Sequence, residues 1–467
     1  MYQINFNQPI HVHFIGIGGI SMSGLAEIIL QERFTVSGSD SKASDITAML
    51  EKLGATIAIG QKAENITDDI DLIVYTAAIH KDNPEFAAAV VSGKPMLTRA
   101  QMLGQIMANY DYSVAVSGTH GKTTTTSMLS LICLAAKVDP TISVGGMLDA
   151  IGGNIRVGQS EYFVTEACEY TNSFHAFQPK ISIILNVDAD HLDFFSGIDE
   201  IIQSFRTFAH KLQPDGTLII NGEMDCLSAI TDGLSREIRT FGLSPECKYS
   251  AADITYDEQG CASYTLLIDG KPVTTIQLHV NGIHNVTNSL AAIAAADVLH
   301  INIEDMKKGL ADFGGAKRRF EVKGTFNGIT IVDDYAHHPT EIKATLKAAH
   351  QVAHNDIWCV FQPHTYTRTK ALLPEFAEAL SHADHIVLTK IYSAREKDTG
   401  MVSSQDIADL LQNEYHKDVV YLPEFSEVET YVRNNCKEND LLITMGAGDV
   451  VTVGEDLLKN NFKKIIC

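Results

Sequence analysis

The run Tyr112-Ser113-Val114-Ala115-Val116, followed by Gly118-Thr119-His120-Gly121-Lys122-Thr123-Thr124-Thr125, decides the fold. Its first half is apolar and β-rich. Its second half is a glycine-flanked turn that opens a helix-like stretch. Strand, glycine turn and helix in that order make a phosphate-binding loop. Backbone N–H groups of such a loop cradle phosphates, the lysine reaches the terminal ones, and the following hydroxyl binds Mg²⁺. The long form of the motif places a glycine five residues before Gly121, where this chain has Val116. The loop is therefore the shortened G-T-x-G-K-T form. A polar helix cap is the competing reading of the same letters.

Upstream, short apolar runs alternate with helical stretches. Val12-His13-Phe14-Ile15 leads into Gly16-Ile17-Gly18-Gly19-Ile20-Ser21, then a helix-like run from Ser23 to Gln31. Phe34–Ser37 and Asp71–Tyr75 read as the next strands. This βαβ rhythm implies a parallel sheet. Gly16, Gly18 and Gly19 let the backbone approach a pyrophosphate at a helix N-terminus. Asp40 ends the following strand, where a ribose-binding acid sits in such folds. Ser21 occupies the place of the third glycine. A nicotinamide-dependent oxidoreductase would explain this loop, but not the phosphate loop that follows.

Downstream, Glu166-Ala167-Cys168-Glu169 and Asn186-Val187-Asp188-Ala189-Asp190-His191-Leu192-Asp193 each follow a buried-strand pattern. Strand C-termini of parallel sheets are where sites form. A carboxylate and an imidazole there can hold a second Mg²⁺. Helix capping by Asp188 or Asp190 is the alternative. Cys168 reads as a small buried residue rather than a nucleophile. Tyr264–Ile268 before Asp269-Gly270 signals a hairpin. Asn281-Gly282-Ile283-His284-Asn285-Val286-Thr287-Asn288 opens an Ala-rich helix. Its amides and imidazole can read a base edge, or Asn285 can cap the helix.

A third unit starts near Lys317. Strand patterns at Ile329–Asp333, Ile357–Phe361, His385–Leu388 and Leu441–Thr444 alternate with amphipathic helices. Lys317-Arg318-Arg319 is a basic cluster in an acidic chain, either a solvated turn or a reach toward phosphates across a cleft. Asp333-Asp334-Tyr335-Ala336-His337-His338-Pro339-Thr340-Glu341 and Gln362-Pro363-His364-Thr365-Tyr366-Thr367-Arg368-Thr369 both follow strands. Adjacent His337 and His338 point their rings apart unless the turn folds them together, so substrate contact is favoured over a metal. The expectation is an α/β chain of three units, 1–110, 111–315 and 316–467.

Bulk properties agree. At about 150 residues per domain, 467 residues make about three domains. A hydrophobic fraction of 45% excludes a mainly disordered chain. A net charge of −22 repels nucleic acids and anionic membranes as a whole. No apolar run reaches the roughly 18 residues of a spanning helix, and Met1–Asn7 lacks a secretory pattern. Eight scattered cysteines without Cys-x-x-Cys favour a reducing cytoplasm.

The ordered set of G-T-H-G-K-T, D-A-D-H-L-D, H-N-x-x-N, K-R-R-F-E-V-K-G, D-D-Y-x-H-H-P-T-E-I and F-Q-P-H-x-Y-T-R-T resembles the Mur ligases over essentially the whole chain. The H-F-I-G-I-G-G-I-S-M-S-G-L-A segment fits the branch that joins L-alanine to UDP-N-acetylmuramate. The resemblance implies an N-terminal UDP-binding Rossmann-like domain, a central ATPase domain and a C-terminal Rossmann-like domain that receives the amino acid. It implies ATP and Mg²⁺, an acyl-phosphate route and a place in peptidoglycan precursor synthesis, in the cytoplasm, as monomer or homodimer. By position it implies that Gly118, Thr119, His120, Gly121, Lys122, Thr123 and Thr124 hold the ATP phosphates. His284, Asn285 and Asn288 would approach the adenine, and Arg319 would reach the phosphates. Thr123, Glu166 and His191 would hold metal. Gly16, Gly18, Gly19 and Asp40 would hold the UDP end. Tyr335, His337, His364 and Arg368 would meet the muramoyl carboxylate or alanine, with Lys122, His337, His364 and Arg368 as catalytic groups. The common E-A-D-E-S segment reads Glu166-Ala167-Cys168-Glu169-Tyr170 here, so an Asp is lost while both Glu remain. A sister ligase for a recycled tripeptide and a non-catalytic nucleotide-sugar sensor share most of these motifs. Intact Lys122, Thr123, Glu166 and His191 argue against the sensor.

Overall fold

The computed structural model describes residues 3–76, 79–192, 194–394 and 396–462; Met1, Tyr2 and Asp193 of the segments quoted above lie outside them. Three sheets follow one another along the chain. The first has five parallel strands in the order Thr56–Ile59, Thr35–Asp40, His11–Ile15, Leu72–Tyr75, Met96–Thr98. His11–Ile15 and Leu72–Tyr75 are buried nearly throughout, as strands covered on both faces must be. Local chemistry starts the helices between them. Ser44 and Thr98 form capping boxes, and Asn83 caps a helix whose first residue is Pro84.

The second sheet has ten strands. At its centre Tyr112–Ser117 pairs in parallel with Tyr162–Glu166 on one side and Ile181–Ile184 on the other. Tyr249–Tyr256 joins its edge in parallel, and Cys261–Ile268 and Lys271–Asn281 extend it as antiparallel strands. The expected hairpin turn is present, with Asp269 at φ 50° and Gly270 at φ 70°.

The third sheet has six strands, in the order Glu321–Phe326, Ile329–Asp334, Leu441–Met445, Ile357–Phe361, His385–Leu388, Asp418–Tyr421. All neighbours are parallel except the first pair. The edge strand Glu321–Phe326 escapes the sequence pattern. It is half-exposed and carries a bulge between Val322 and Gly324, so no continuous apolar run marks it.

Apolar packing divides the molecule unevenly. One continuous core joins Phe14, Leu25 and Met107 of the first unit to Phe163, Phe174, Phe205 and Phe208 of the second. The third unit packs its own cores around Phe361 and Phe376 and around Trp358 and Val432. Helix Arg99–Met107 lies so close to the segment Tyr170–Ala176 that a Cβ on Gly104 would stand 2.2 Å from the Ala176 carbonyl oxygen. Gly24 plays the same part on helix Ile20–Gln31, where a Cβ would stand 2.1 Å from Ile155 Cδ1. Ser21 is exposed on that helix, so no third glycine is needed there; the close approach is at Gly24. Among the described residues no helix is long and apolar enough to cross a membrane.

Candidate active site

The phosphate loop leaves the central strand and enters helix Lys122–Ala135. Gly118 (φ 143°) and Gly121 (φ 84°) take conformations that a side chain would strain. A carboxamide staples the loop to the neighbouring strand end. Asn186 Oδ1 accepts the His120 N–H (2.8 Å), and its Nδ2 donates to the His120 carbonyl (3.0 Å). Thr119 Oγ1 accepts the Asp188 N–H at 2.9 Å. Lys122 curls back to the Thr119 carbonyl (3.1 Å) and to Glu169 Oε2 (2.9 Å). Burial opposes its charge, but Glu169, Cys168 and Glu166 outweigh burial and raise its pKa.

The acid segment sits beside the loop. Glu166 accepts the Gly145 N–H at 2.6 Å, and burial raises its carboxyl against that bond, the Thr123 hydroxyl and Lys122. A Cβ on Gly145 would stand 2.6 Å from Glu166 Oε2, so glycine keeps this carboxylate uncrowded. His191, held at φ 54°, packs its ring at a tilt against Tyr170 and places Nε2 3.6 Å from Glu169 Oε1. Hard oxygen donors next to a phosphate loop fit Mg²⁺. Among the described residues no three His, Cys, Asp or Glu side chains converge to enclose a metal alone.

Neither segment supplies a side-chain cap: Glu169 precedes the short 3₁₀ helix Tyr170–Ala176 without a capping bond, and helix Ile198–Ala209 starts at Gly197, also uncapped. Likewise Gly282, not Asn285, starts helix Ile283–Val298. Asn285 donates to the Asn281 carbonyl (2.7 Å) and accepts from Asn288 Nδ2 (3.1 Å). A Cβ on Gly121 would stand only 2.7 Å from Asn288 Oδ1. Burial and Arg319 push His284 down to about 4, so it is neutral at pH 7. These residues, with Thr123, Thr124 and Arg319, line a cleft of about 200 Å³.

The third unit closes the cleft through Glu341. His120 lies 3.2 Å from Glu341 and 3.0 Å from Asp188. Burial opposes its protonation, but both carboxylates outweigh burial and push its pKa up to about 9. Glu341 also meets Arg319 (3.6 Å) and accepts the His337 backbone N–H (3.0 Å). The basic cluster therefore divides. Arg318 is spent on Asp333 and the carbonyls of Gly446 and Gly448, whereas Arg319 faces the cleft.

A second cavity, about 350 Å³, adjoins His191, with His364 and Arg368 in its wall. Arg368 donates from Nε (3.1 Å) and Nη2 (2.9 Å) to Asp190 Oδ1, and its Nη1 lies 3.1 Å from His364 Nδ1. Burial would raise Asp190, but Arg368, His191 and His337 hold it well below the usual carboxylate range. The His337 ring faces His364 (5.6 Å) and Tyr335 (5.5 Å), while His338 turns to His120 (5.0 Å). The two rings do point apart. Burial pushes His337 down to about 4. Its Nδ1 sits 3.0 Å from the Tyr335 carbonyl, which keeps the proton on Nδ1 and the lone pair on Nε2.

The first glycine loop stands apart from these groups. Asp40 Oδ2 accepts the Gly18 N–H at 2.9 Å, and Gly16 and Ile17 donate to the Ser39 carbonyl. Asp40 thus shapes the loop it was expected to serve. Sequence reading gave Glu341 no role, gave Asp190 only the alternative of a helix cap, and counted Glu169 only as a retained acid of its segment. All three lie inside quoted motifs, but their partners are remote in sequence.

Three family models match in order: the Mur ligase family catalytic domain over residues 11–111, the Mur ligase middle domain over 116–296 and the Mur ligase glutamate ligase domain over 318–448. The UDP-N-acetylmuramate–L-alanine ligase of Lachnospira eligens is 59% identical over 98% of this chain and 100% of its own. That of Agathobacter rectalis is 58% identical with the same coverage. The solved UDP-N-acetylmuramate–alanine ligase of Thermotoga maritima superposes with a TM-score of 0.77 at 29% identity, covering 97% of this chain and 100% of that one. A murein peptide ligase from Psychrobacter arcticus follows with a TM-score of 0.67 at 25% identity, covering 96% and 98%. The chain belongs to the Mur ligase family, within the branch whose members are named UDP-N-acetylmuramate–L-alanine ligase.

Proposed function

We propose that this protein joins L-alanine to the carboxylate of UDP-N-acetylmuramate and consumes ATP in doing so. The observation that carries the reading is that two cavities draw on one segment, Asp188 lining the first and Ala189, Asp190 and His191 the second. One has the phosphate loop and Arg319 in its wall; the other has His364 and Arg368. A carboxylate is a poor electrophile. Its oxygen takes the γ-phosphoryl of ATP and ADP departs, with Lys122 and Arg319 neutralising the spread charge. The neutral amine of alanine then attacks the acyl carbon. The C–N bond forms, the C–O bond to phosphate breaks, and the amine proton passes to Nε2 of His337, with His364 beside it. Thr123, Glu166 and His191 would hold Mg²⁺, which supplies further neutralisation of phosphate charge when bound.

The glycine loop at Gly16, Gly18 and Gly19, with Asp40, holds the UDP end in this reading. Tyr335, His337, His364 and Arg368 meet the muramoyl carboxylate and alanine, and His284, Asn285 and Asn288 flank the adenine. The units 1–110, 111–315 and 316–467 then bind nucleotide sugar, ATP and amino acid in turn, in the cytoplasm, by a monomer or homodimer. The test is ADP release with UDP-N-acetylmuramate, ATP and Mg²⁺, comparing L-alanine with the recycled tripeptide, in wild type and Lys122→Ala. Release that needs L-alanine and disappears in the variant is expected. Release with the tripeptide alone moves the chain to the recycling branch. No release with either overturns catalysis.

A further inference from the structure

Glu341 is the third residue of helix Pro339–Ala349, which follows the strand Ile329–Asp334. An acid there is ordinarily a capping group: it reaches back to a free N–H at the helix start and complements the helix dipole. One of its oxygens does this. Oε2 accepts the His337 backbone N–H at 3.0 Å. Capping needs one oxygen, and the other points elsewhere. Oε1 lies 3.2 Å from His120 Nδ1 and 3.6 Å from Arg319 Nη1. The side chain is only 12% exposed, so both oxygens act where water screens them little.

The two oxygens serve opposite sides of the site. His120 belongs to the phosphate loop, where Asn186 holds its backbone N–H and carbonyl. Arg319 lines the same cleft. Oε1 therefore ties the third unit to the loop that holds the phosphate donor. His337 faces the other way, toward His364 in the wall of the second cavity. Its Nδ1 lies 3.3 Å from Oε2 and 3.0 Å from the Tyr335 carbonyl oxygen. Both are acceptors, so the ring proton stays on Nδ1 and Nε2 keeps its lone pair. One carboxylate thus grips the phosphate loop and sets the tautomer of the imidazole that takes the amine proton.

We propose that Glu341 is a positioning residue that couples the two half-reactions, holding the amine-side imidazole in register with the phosphate loop so that the acyl phosphate meets alanine rather than water. This rests on the function proposed above. The competing fate has a definite product. Water adds to the acyl phosphate, the bond to phosphate breaks, and the muramoyl carboxylate returns together with inorganic phosphate. The net reaction is then hydrolysis of ATP. A variant that loses the coupling consumes ATP without making amide.

Measuring ADP and the amide product side by side tests this, in the full-length protein with UDP-N-acetylmuramate, ATP, Mg²⁺ and L-alanine. Wild type should give one ADP per amide. Glu341→Gln keeps a carbonyl oxygen for the His337 N–H but turns an NH₂ toward the donors of His120 and Arg319. It should slow amide formation by about tenfold or more and release at least about two ADP per amide. His120→Ala breaks the same contact from the other side and should raise the same ratio, so a Glu341 variant that fails to fold does not end the test. Thermal melts show which variants are folded. Amide and ADP falling together, at one to one, would leave Glu341 a helix cap and overturn the proposal. Unchanged rates would overturn it too. Absence of both products in wild type would instead sink the proposed function.

Discussion

Nζ of Lys122 lies 2.9 Å from Oε2 of Glu169, a side chain only 2% exposed, so the lysine of the phosphate loop is ion-paired within the protein. An arriving phosphate must share this lysine with Glu169. The pair also orders the loop: the same ammonium holds the carbonyls of Gly118 and Thr119.

Removing the carboxylate should therefore cost stability as well as activity. Glu169→Ala leaves a buried ammonium without its acid, and breaking such a pair costs about 3 kcal/mol or more. Urea unfolding should show the midpoint falling with little change in slope. An unchanged midpoint would mean that the lysine is solvated.

His120 makes stability depend on pH. Its folded pKa, about 9, is raised above the ordinary value of 6.5. A raised pKa contributes stability that is fully present below the unfolded value and is lost as pH rises through the folded one. Wild type should lose melting temperature between about pH 6.5 and pH 9, and His120→Gln should lose much less over that window. Parallel curves would remove the assignment.

Asp190 acts in the opposite sense. Its depressed pKa contributes stability present above its unfolded value of about 3.9 and lost as pH falls further. Asp190→Asn should flatten the acid limb of the stability curve. It should also release Arg368 from its orientation and lower kcat/KM for ADP release by about tenfold or more. A steady-state assay at neutral pH separates this from acid unfolding.

Gly104 reports on the contact between the first two units. A methyl group there meets the Ala176 backbone, which has no flexible end to move aside. Gly104→Ala should destabilise by about 1–3 kcal/mol, whereas Gly314→Ala, which meets nothing within 4 Å, should be close to neutral. Thermal unfolding of both, side by side, checks this.

What the sequence disclosed was local. Gly118–Thr124 and the turn at Asp269-Gly270 carry their conformations in consecutive letters, because glycine freedom and turn chemistry act over a few residues. Long-range pairs carry no such signal. Arg368 and Asp190 are 178 positions apart, and neither one's motif points to the other. Glu341 ends a quoted motif, yet its use is set by His120 on another sheet. The choice of Arg319 over Arg318 follows from the family pattern; its physical reason, Arg318 being consumed by Asp333 and two carbonyls, exists only once the strands Ile329–Asp334 and Leu441–Met445 pair.

The shared apolar core of the first two units has a consequence for how the chain is made. A ribosome delivers the N-terminus first, but the partners of Phe14, Leu25 and Met107 include Phe205, Phe208 and Ile230. The leading sheet must wait, with part of its oily face uncovered, until more than a hundred further residues have emerged. The trailing unit, with private cores, has no such delay. Chaperone demand during synthesis therefore falls on the first half of the nascent chain.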